Sequence, residues 1–207
     1  MKRTHIYVDG FNLYYCAIRN TPYRWLDLKA LFQKLLAKDH TIDSIKYFTA
    51  IVSGVKDPQK PTRQQTYIRA LEKFIPEISV YYGQFLSHIR KAPLAYPTKQ
   101  KKFEYVIETE EKGSDVNLAV QLLNDGWLNK YDCAVIVSND SDLAEALKIV
   151  KVQHKKLIGL ILPTNCFPSQ ELIKFADFVK RIRKNVLAIS QLPNPIPGTN
   201  IHKPNIW

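Results

Sequence analysis

Apolar residues occur in two kinds of pattern along this chain. Continuous runs at residues 133–137 and 157–162 predict buried strands, and residues 26–38 carry apolar side chains at the spacing of an amphipathic helix. The same criteria predict five further strands, at residues 4–8, 44–53, 78–82, 103–107 and 178–182, and four further helices, at residues 62–74, 114–128, 141–152 and 170–175. Strands that alternate with helices indicate a three-layer α/β fold with a mainly parallel central sheet.

Two segments lack either periodicity. Residues 84–102 contain two prolines, five bases and no acid, and we interpret them as a basic, exposed insertion or hairpin that is more mobile than the core. Residues 191–207 contain four prolines. We therefore predict one domain over residues 1–185 and a Pro-rich C-terminal tail, residues 186–207, that lies along the body or contacts a partner.

Composition is that of an ordinary globular protein, with 45% hydrophobic and 24% charged residues among 207. The longest apolar stretch is far shorter than the roughly 20 residues of a membrane span, so no membrane association is expected. No secretory signal is visible either, which favours the cytoplasm.

The formal charge of +11 predicts anionic partners. This charge is unevenly distributed, because residues 104–145 hold ten acids and two bases, a net charge of −8, which leaves +19 for the rest. Since carboxylates repel phosphate, a nucleic-acid partner would require a cation near this acidic segment.

Several common sites are excluded by spacing. The seven glycines are never closer than 13 residues, which excludes G-x-G-x-x-G and the P-loop. There is no G-x-S-x-G elbow, no C-x-x-C pair and no H-E-x-x-H helix, so neither an α/β serine hydrolase nor a zinc site of those types is predicted.

Carboxylates follow two of the predicted strands. Asp9 and Asn12 come directly after the first strand, Asp140 and Asp142 come after the run 133–137, and Asp115 begins a long helix. Because functional groups gather beyond the carboxyl ends of parallel strands, these side chains are expected to meet at one sheet edge. Taken singly, each also fits a turn, a helix N-cap or a first-turn acid.

Four clustered carboxylates would repel one another unless cations neutralised them. Oxygen ligands without His or Cys favour hard ions, so the predicted cofactor is Mg²⁺ or Mn²⁺. The surrounding bases would attract a polyanion, and the metal would bridge it to the acids.

Three motifs carry a family resemblance. Asp9-Gly10-Phe11-Asn12, Lys112-Gly113-Ser114-Asp115 and Ser138-Asn139-Asp140-Ser141-Asp142 resemble the D-G-x-N, K-G-x-D and S-x-D-x-D pattern of the NYN domain family of PIN-like nucleases, over roughly residues 4–183. The resemblance implies a Rossmann-like PIN fold and a metal-dependent ribonuclease. It also implies a metal site and catalytic residues, with metal ligands Asp9, Asp115, Asp140 and Asp142, and Asn12 as a further polar site residue.

RNA is therefore the expected partner, hydrolysed by a metal-activated water. Candidate substrate-binding residues are Lys112, beside the acids, and Arg63, which shares a helical spacing with Lys60, Arg69 and Lys73; a solvated basic helix face explains this spacing equally well. Tyr14 and Tyr15 could stack on bases, although one of the two is expected in the core.

Two alternatives remain open. The first is an RNA-binding or scaffold protein of the same fold that does not cleave RNA, and the tail could support a homodimer or bind a protein partner. The second is a Toprim-like phosphotransfer site, although that family has Glu at the position that Asp9 occupies here.

Overall fold

Six parallel strands form the central sheet of this computed structural model, which describes residues 1–55, 57–163 and 167–207. Their spatial order is β3-β2-β1-β6-β7-β8, and a separate antiparallel ribbon contains β4 and β5. The strands are β1 (Lys2–Asp9), β2 (His40–Thr49), β3 (Ile78–Tyr82), β4 (Gln84–Pro93), β5 (Phe103–Lys112), β6 (Cys133–Val137), β7 (Leu157–Leu162) and β8 (Phe178–Arg181).

Helices cover both faces of the sheet. They are α1 (Gly10–Leu13), which continues as a π-helical turn (Tyr14–Ile18), α2 (Leu28–Leu35), α3 (Lys60–Phe74), α4 (Ser114–Trp127), a 3₁₀ turn (Ser141–Leu143) that runs into α5 (Ala144–Val152), α6 (Gln170–Ile173) and α7 (Lys184–Ala188). Helices α1, α2, α3 and α7 bury apolar side chains in one core, and α4, α5 and α6 bury theirs in a second core on the opposite face. The predicted three-layer α/β fold with a mainly parallel sheet is confirmed.

Several predicted elements have different bounds in the structure, and α2 and β2 show the physical reasons. The helix expected at residues 26–38 begins at Leu28, because the Asp27 side chain accepts a hydrogen bond from the backbone N–H of Ala30 (3.0 Å) and caps it. The strand expected at residues 44–53 is β2, which begins at His40 because its polar first half pairs with β1 from Lys2 onward. Backbone pairing extends this strand beyond its apolar run.

The basic insertion contributes half of a hairpin. Strand β4 pairs antiparallel with β5 over their whole length, and the strand expected at residues 103–107 extends to Lys112. This ribbon lies outside the central sheet. Its connection leads directly into α4, so the ribbon and the acid-bearing helix are joined at Gly113.

A buried ionic network attaches α4 to the sheet. Asp125 is fully buried and accepts a hydrogen bond from the hydroxyl of Tyr7 (2.8 Å), and its Oδ2 lies 2.5 Å from Nζ of Lys46. Burial alone would raise the pKa of Asp125, but hydrogen bonds from His5, Lys46 and Tyr7 outweigh it and hold this pKa well below its usual range. The network fixes α4 against β1 and β2.

The C-terminal segment lies along the body of its own chain. The backbone N–H of Leu192 donates to the carbonyl of Trp25 (2.9 Å), and Nε1 of Trp25 donates to the carbonyl of Pro193 (3.0 Å). The Trp207 ring meets those of Trp25 and Tyr67 edge to face. Among the described residues, none of the helices has the length and apolar character that crossing a bilayer requires.

Candidate active site

The predicted acids and Asn12 lie near the point where the order of the strands reverses. Strand β1 lies between β2 and β6, and the chain moves outward in opposite directions from this point. Asp9 is the last residue of β1, and Ser138 follows the last residue of β6, which pairs with Val8. A crevice at such a switch point is the usual place for ligands in open α/β sheets.

Asp9 is held in a fixed position by two hydrogen bonds. Its side chain is almost fully buried; Oδ2 accepts from Oγ of Ser138 (2.8 Å), and Oδ1 accepts from the backbone N–H of Asn12 (2.9 Å). Burial raises the pKa of Asp9, the hydrogen bonds oppose this shift, and the nearby charge of Asp140 adds to it, so that the net pKa is raised. The Asp9 carboxylate is therefore held in one position, although its surroundings disfavour its charged form.

Gly10 allows the chain to turn at this point without a clash. A side chain here would place its Cβ 2.7 Å from both the carbonyl oxygen of Phe48 and Cζ of Tyr47. Such a distance is below van der Waals contact, so the glycine of the Asp-Gly pair has a packing role. It lets β2 approach the residue next to Asp9.

Asp140 caps the turn that follows β6. Its Oδ1 accepts from the backbone N–H of Asp142 (3.0 Å), and its own N–H donates to Oγ of Ser138 (3.1 Å). The Ser138 hydroxyl therefore contacts both Asp9 and Asp140. Asp142 is exposed in the 3₁₀ turn.

Asp115 enters the site from the start of α4. Gly113 adopts a left-handed conformation (φ 98°) between the ribbon and this helix, and the Glu111 carboxylate accepts from the backbone N–H (3.2 Å) and Oγ (2.8 Å) of Ser114. Burial, followed by the charges of the surrounding acids, raises the pKa of Asp115 to about 6; these acids are Asp9, Asp140, Glu111 and Asp142. Acids from four chain segments therefore interact at this edge.

The arrangement fits a hard divalent cation in its chemistry but does not form a closed cage. In the part of the chain that the structure describes, no three His, Cys, Asp or Glu side chains converge tightly enough to enclose a metal. The donors are all oxygens, and their mutual repulsion is what a cation relieves. Mg²⁺ commonly keeps several waters and binds through one or two carboxylates, so it does not require such a cage.

The other predicted residues have different surroundings. The amide oxygen of Asn12 is buried and has no hydrogen-bond partner among the described residues. Lys112 is more than half exposed and pairs with Glu110 (3.2 Å). Arg63 pairs with Asp57 and lines a cavity beside α1 that none of the four predicted metal-site acids lines.

Two residues of the site were not among those predicted. Ser138 belongs to the S-x-D-x-D motif, whose serine could have been assigned a role because it precedes the acids directly. Glu111 lies in the acidic segment 104–145 and was not assigned a role of its own. Its contact with Ser114 depends on the Gly113 turn, which no pattern of spacing encodes.

Comparisons with known proteins show the family and support the fold, and one relative is named as a monooxygenase. The family model for the NYN domain matches residues 3–182. A 6-hydroxy-3-succinoylpyridine 3-monooxygenase, HspA, of Pseudomonas putida (strain DSM 28022 / S16) is 37% identical, and the match covers 99% of this chain and 75% of that protein. The crystal structure of VPA0982, a protein of unknown function from Vibrio parahaemolyticus RIMD 2210633, is also similar, with a TM-score of 0.57 and 19% sequence identity. The match covers 89% of this chain and 94% of the VPA0982 chain. At this identity the similarity shows the fold alone.

Proposed function

Because the chain belongs to the NYN domain family of PIN-like ribonucleases, we propose that it is a metal-dependent ribonuclease that hydrolyses RNA phosphodiester bonds, most simply as an endonuclease. The observation that carries this proposal is that Asp9 and Asp140 lie at the ends of the adjacent strands β1 and β6, with Asp115 at the start of α4. In keeping with this proximity, burial and the neighbouring acids raise the pKa of Asp115 to about 6. Carboxylates that disfavour each other's ionisation in this way would be stabilised by a divalent cation, and the bound cation would in turn attract a phosphate group.

Three of the four acids have a distinct support in the chain. Ser138 and the backbone of Asn12 orient Asp9, Asp140 is fixed by the turn that it caps, and Asp115 is placed by α4. The amide oxygen of Asn12 has no hydrogen-bond partner within the described part of the chain, and it would accept a hydrogen bond from a water or from the ribose. These supports hold the acids before any substrate arrives, which is the condition for electrostatic preorganisation.

Mg²⁺ or Mn²⁺ would be held by Asp9, Asp115, Asp140 and Asp142, where it would lower the pKa of a bound water and neutralise charge on the scissile phosphate. The Ser138 hydroxyl donates to the Asp9 carboxylate and accepts from the backbone N–H of Asp140, so the serine links the ends of β1 and β6. The attack of water on phosphorus then breaks the bond to the leaving ribose oxygen.

RNA would reach the acids across a basic surface. Residues outside 104–145 carry a net +19, which attracts phosphate over distances up to about a Debye length of 10 Å. On α3, Arg69 and Lys73 are exposed and could contact the backbone, and Lys112 is exposed at the end of the ribbon. Tyr15 is exposed near Asp9 and offers a stacking surface.

The test is cleavage of a labelled single-stranded RNA with Mn²⁺, with Mg²⁺ and with EDTA. We expect cleavage only with metal, and loss of at least a hundredfold in Asp9→Asn and in Asp140→Asn, because each removes a carboxylate charge without changing its shape. Glu145→Gln is the matched control, since this exposed acid pairs with Lys148 on α5. Full activity in both Asn variants would refute the assignment.

A protein that binds RNA without cutting it would give a different result. RNA would then shift in a gel with wild-type protein and with both variants, and no product would form with either metal. This outcome would refute the nuclease proposal and support an RNA-binding or scaffold protein of the same fold.

A second candidate function follows from the relative named as a 6-hydroxy-3-succinoylpyridine 3-monooxygenase, since that match covers nearly the whole chain. A monooxygenase consumes one O₂ and two electrons for each product. Oxygen uptake with 6-hydroxy-3-succinoylpyridine and NADH as reductant, with and without added flavin, would detect this activity. Uptake that depends on the pyridine, in protein that leaves RNA intact, would favour this candidate over the nuclease.

A further inference from the structure

A cavity of about 420 Å³ opens on the α1 side of the sheet, next to the acids but separate from them. Gly10 and Phe11, which follow Asp9 directly, line it, whereas none of the four predicted metal-site acids does. Its volume lies within the range of sites for small organic ligands. Whatever it holds would lie beside the carboxylate edge.

The walls are unusually rich in aromatic rings. Six of the described lining residues are aromatic, namely Phe11, Tyr14, Tyr15, Tyr47, Tyr67 and Trp207. Tyr47 and Tyr67 are buried, and the Tyr67 hydroxyl is already engaged with the carbonyl of Leu26 (2.8 Å). The lining therefore offers aromatic surface against which a planar apolar group can pack.

Part of this wall is built by the π-helical turn Tyr14–Ile18. The backbone N–H of Arg19 donates to the carbonyl of Tyr14 (2.8 Å), a bond to the fifth residue back instead of the fourth. This geometry is rare and is frequently found at functional sites. Here it places Tyr14, Tyr15 and Ile18 on the same wall.

The polar part of the lining is basic. Four bases contribute, Arg19, Arg24, Lys60 and Arg63, and among the described lining residues Asp57 alone is acidic and already pairs with Arg63. Arg24 donates from one terminal nitrogen to the carbonyl of Arg19 (2.6 Å), but its Nε is buried and has no partner among the described residues. A buried donor without a partner is costly, so this nitrogen is available to donate a hydrogen bond to a ligand.

We propose that this cavity binds one planar aromatic ring that carries an anionic group. The rings of the wall accept the planar part, and the guanidinium of Arg24 with its basic neighbours binds the anion. Two sources share this chemistry, a free aromatic carboxylic acid and a nucleotide of an RNA strand. The inference does not depend on cleavage, because no predicted metal ligand lines the cavity.

Isothermal titration calorimetry in EDTA, with 4-hydroxybenzoate and uridine 5′-monophosphate as probes, tests the proposal. We expect at least one to bind, and the neutral 4-hydroxybenzamide to bind roughly tenfold more weakly than the acid if the acid is the ligand, because it lacks the charge-assisted hydrogen bond. Binding of the benzoate alone identifies a small-molecule site, whereas binding of the nucleotide alone identifies a subsite for RNA.

Variants locate the binding. Arg24→Gln and Arg63→Gln should each lower the affinity for the probe by roughly tenfold. Arg181 is an exposed arginine at the end of β8, so Arg181→Gln should leave the affinity unchanged. Asp9→Asn should retain binding even if it abolishes RNA cleavage, which separates this inference from the proposed function. Absence of heat with both probes, or unchanged affinity in both cavity variants with intact circular dichroism, would overturn the proposal.

Discussion

Replacing Asp115 by Asn should make the metal-free protein more stable at neutral pH. The folded state raises the pKa of this carboxyl from 3.8 to about 6, so folding favours its protonated form, and ionisation above pH 6 works against folding. A shift of about two units corresponds to at most about 3 kcal/mol. Because the side chain is partly exposed, solvent screening and the loss of a first-turn charge reduce the expected gain to about 1 kcal/mol.

The assay is urea unfolding at pH 7.5 and pH 4.5 in EDTA. The penalty is complete above pH 6 and disappears below pH 3.8, so at pH 4.5 the gain should fall to about a third of its value. Asp43→Asn, an exposed aspartate on β2, is the matched control and should change little. Added Mn²⁺ should stabilise wild type more than Asp115→Asn. A variant that is no more stable than wild type at pH 7.5 in EDTA would refute the reasoning.

Two further predictions concern groups that support the site. Lys46→Met should lower the free energy of unfolding by about 3 kcal/mol in urea, because it leaves the buried Asp125 without its closest cation; Lys2→Met, which breaks an exposed pair with Asp39, should leave the unfolding midpoint nearly unchanged. Ser138→Ala removes a hydrogen bond that lowers the pKa of Asp9, so the acidic limb of the cleavage profile should move to higher pH, whereas Ser141→Ala should leave it in place.

The central sheet was predictable because buried parallel strands are apolar on both faces. The runs 133–137 and 157–162 coincide with β6 and β7, and each is buried along nearly its whole length. The π-helical turn was not predicted, because bonds to the fifth residue back leave no distinctive spacing of apolar side chains. The ribbon was predicted only in part, since β5 carries charges at alternate positions and pairs outside the sheet.

For the site, the sequence predicted that the acids would lie at one edge of the sheet, but it did not predict how their pKa values are shifted. Asp9 and Asp140 follow adjacent strands, so their convergence is a consequence of parallel topology. The raised pKa of Asp115 depends on its depth and on its separation from other acids, and spacing along the chain specifies neither. The position of Arg63 was likewise not accessible, because helical periodicity does not distinguish a solvated face from a cavity wall.

The division of charge within this chain bears directly on the two candidate functions. The acids lie at the end of β1 and β6, while the aromatic and basic cavity begins one residue after Asp9, so a single strand end separates two sites of opposite charge. Phosphodiester hydrolysis needs the acids, whereas turnover of a small aromatic acid needs the cavity. For a nuclease, Asp9→Asn should therefore reduce kcat severely and Arg24→Gln should act mainly on KM. For an enzyme acting on a free aromatic acid, the larger loss in kcat/KM should come from Arg24→Gln, because its substrate would have no phosphate for the acids to engage.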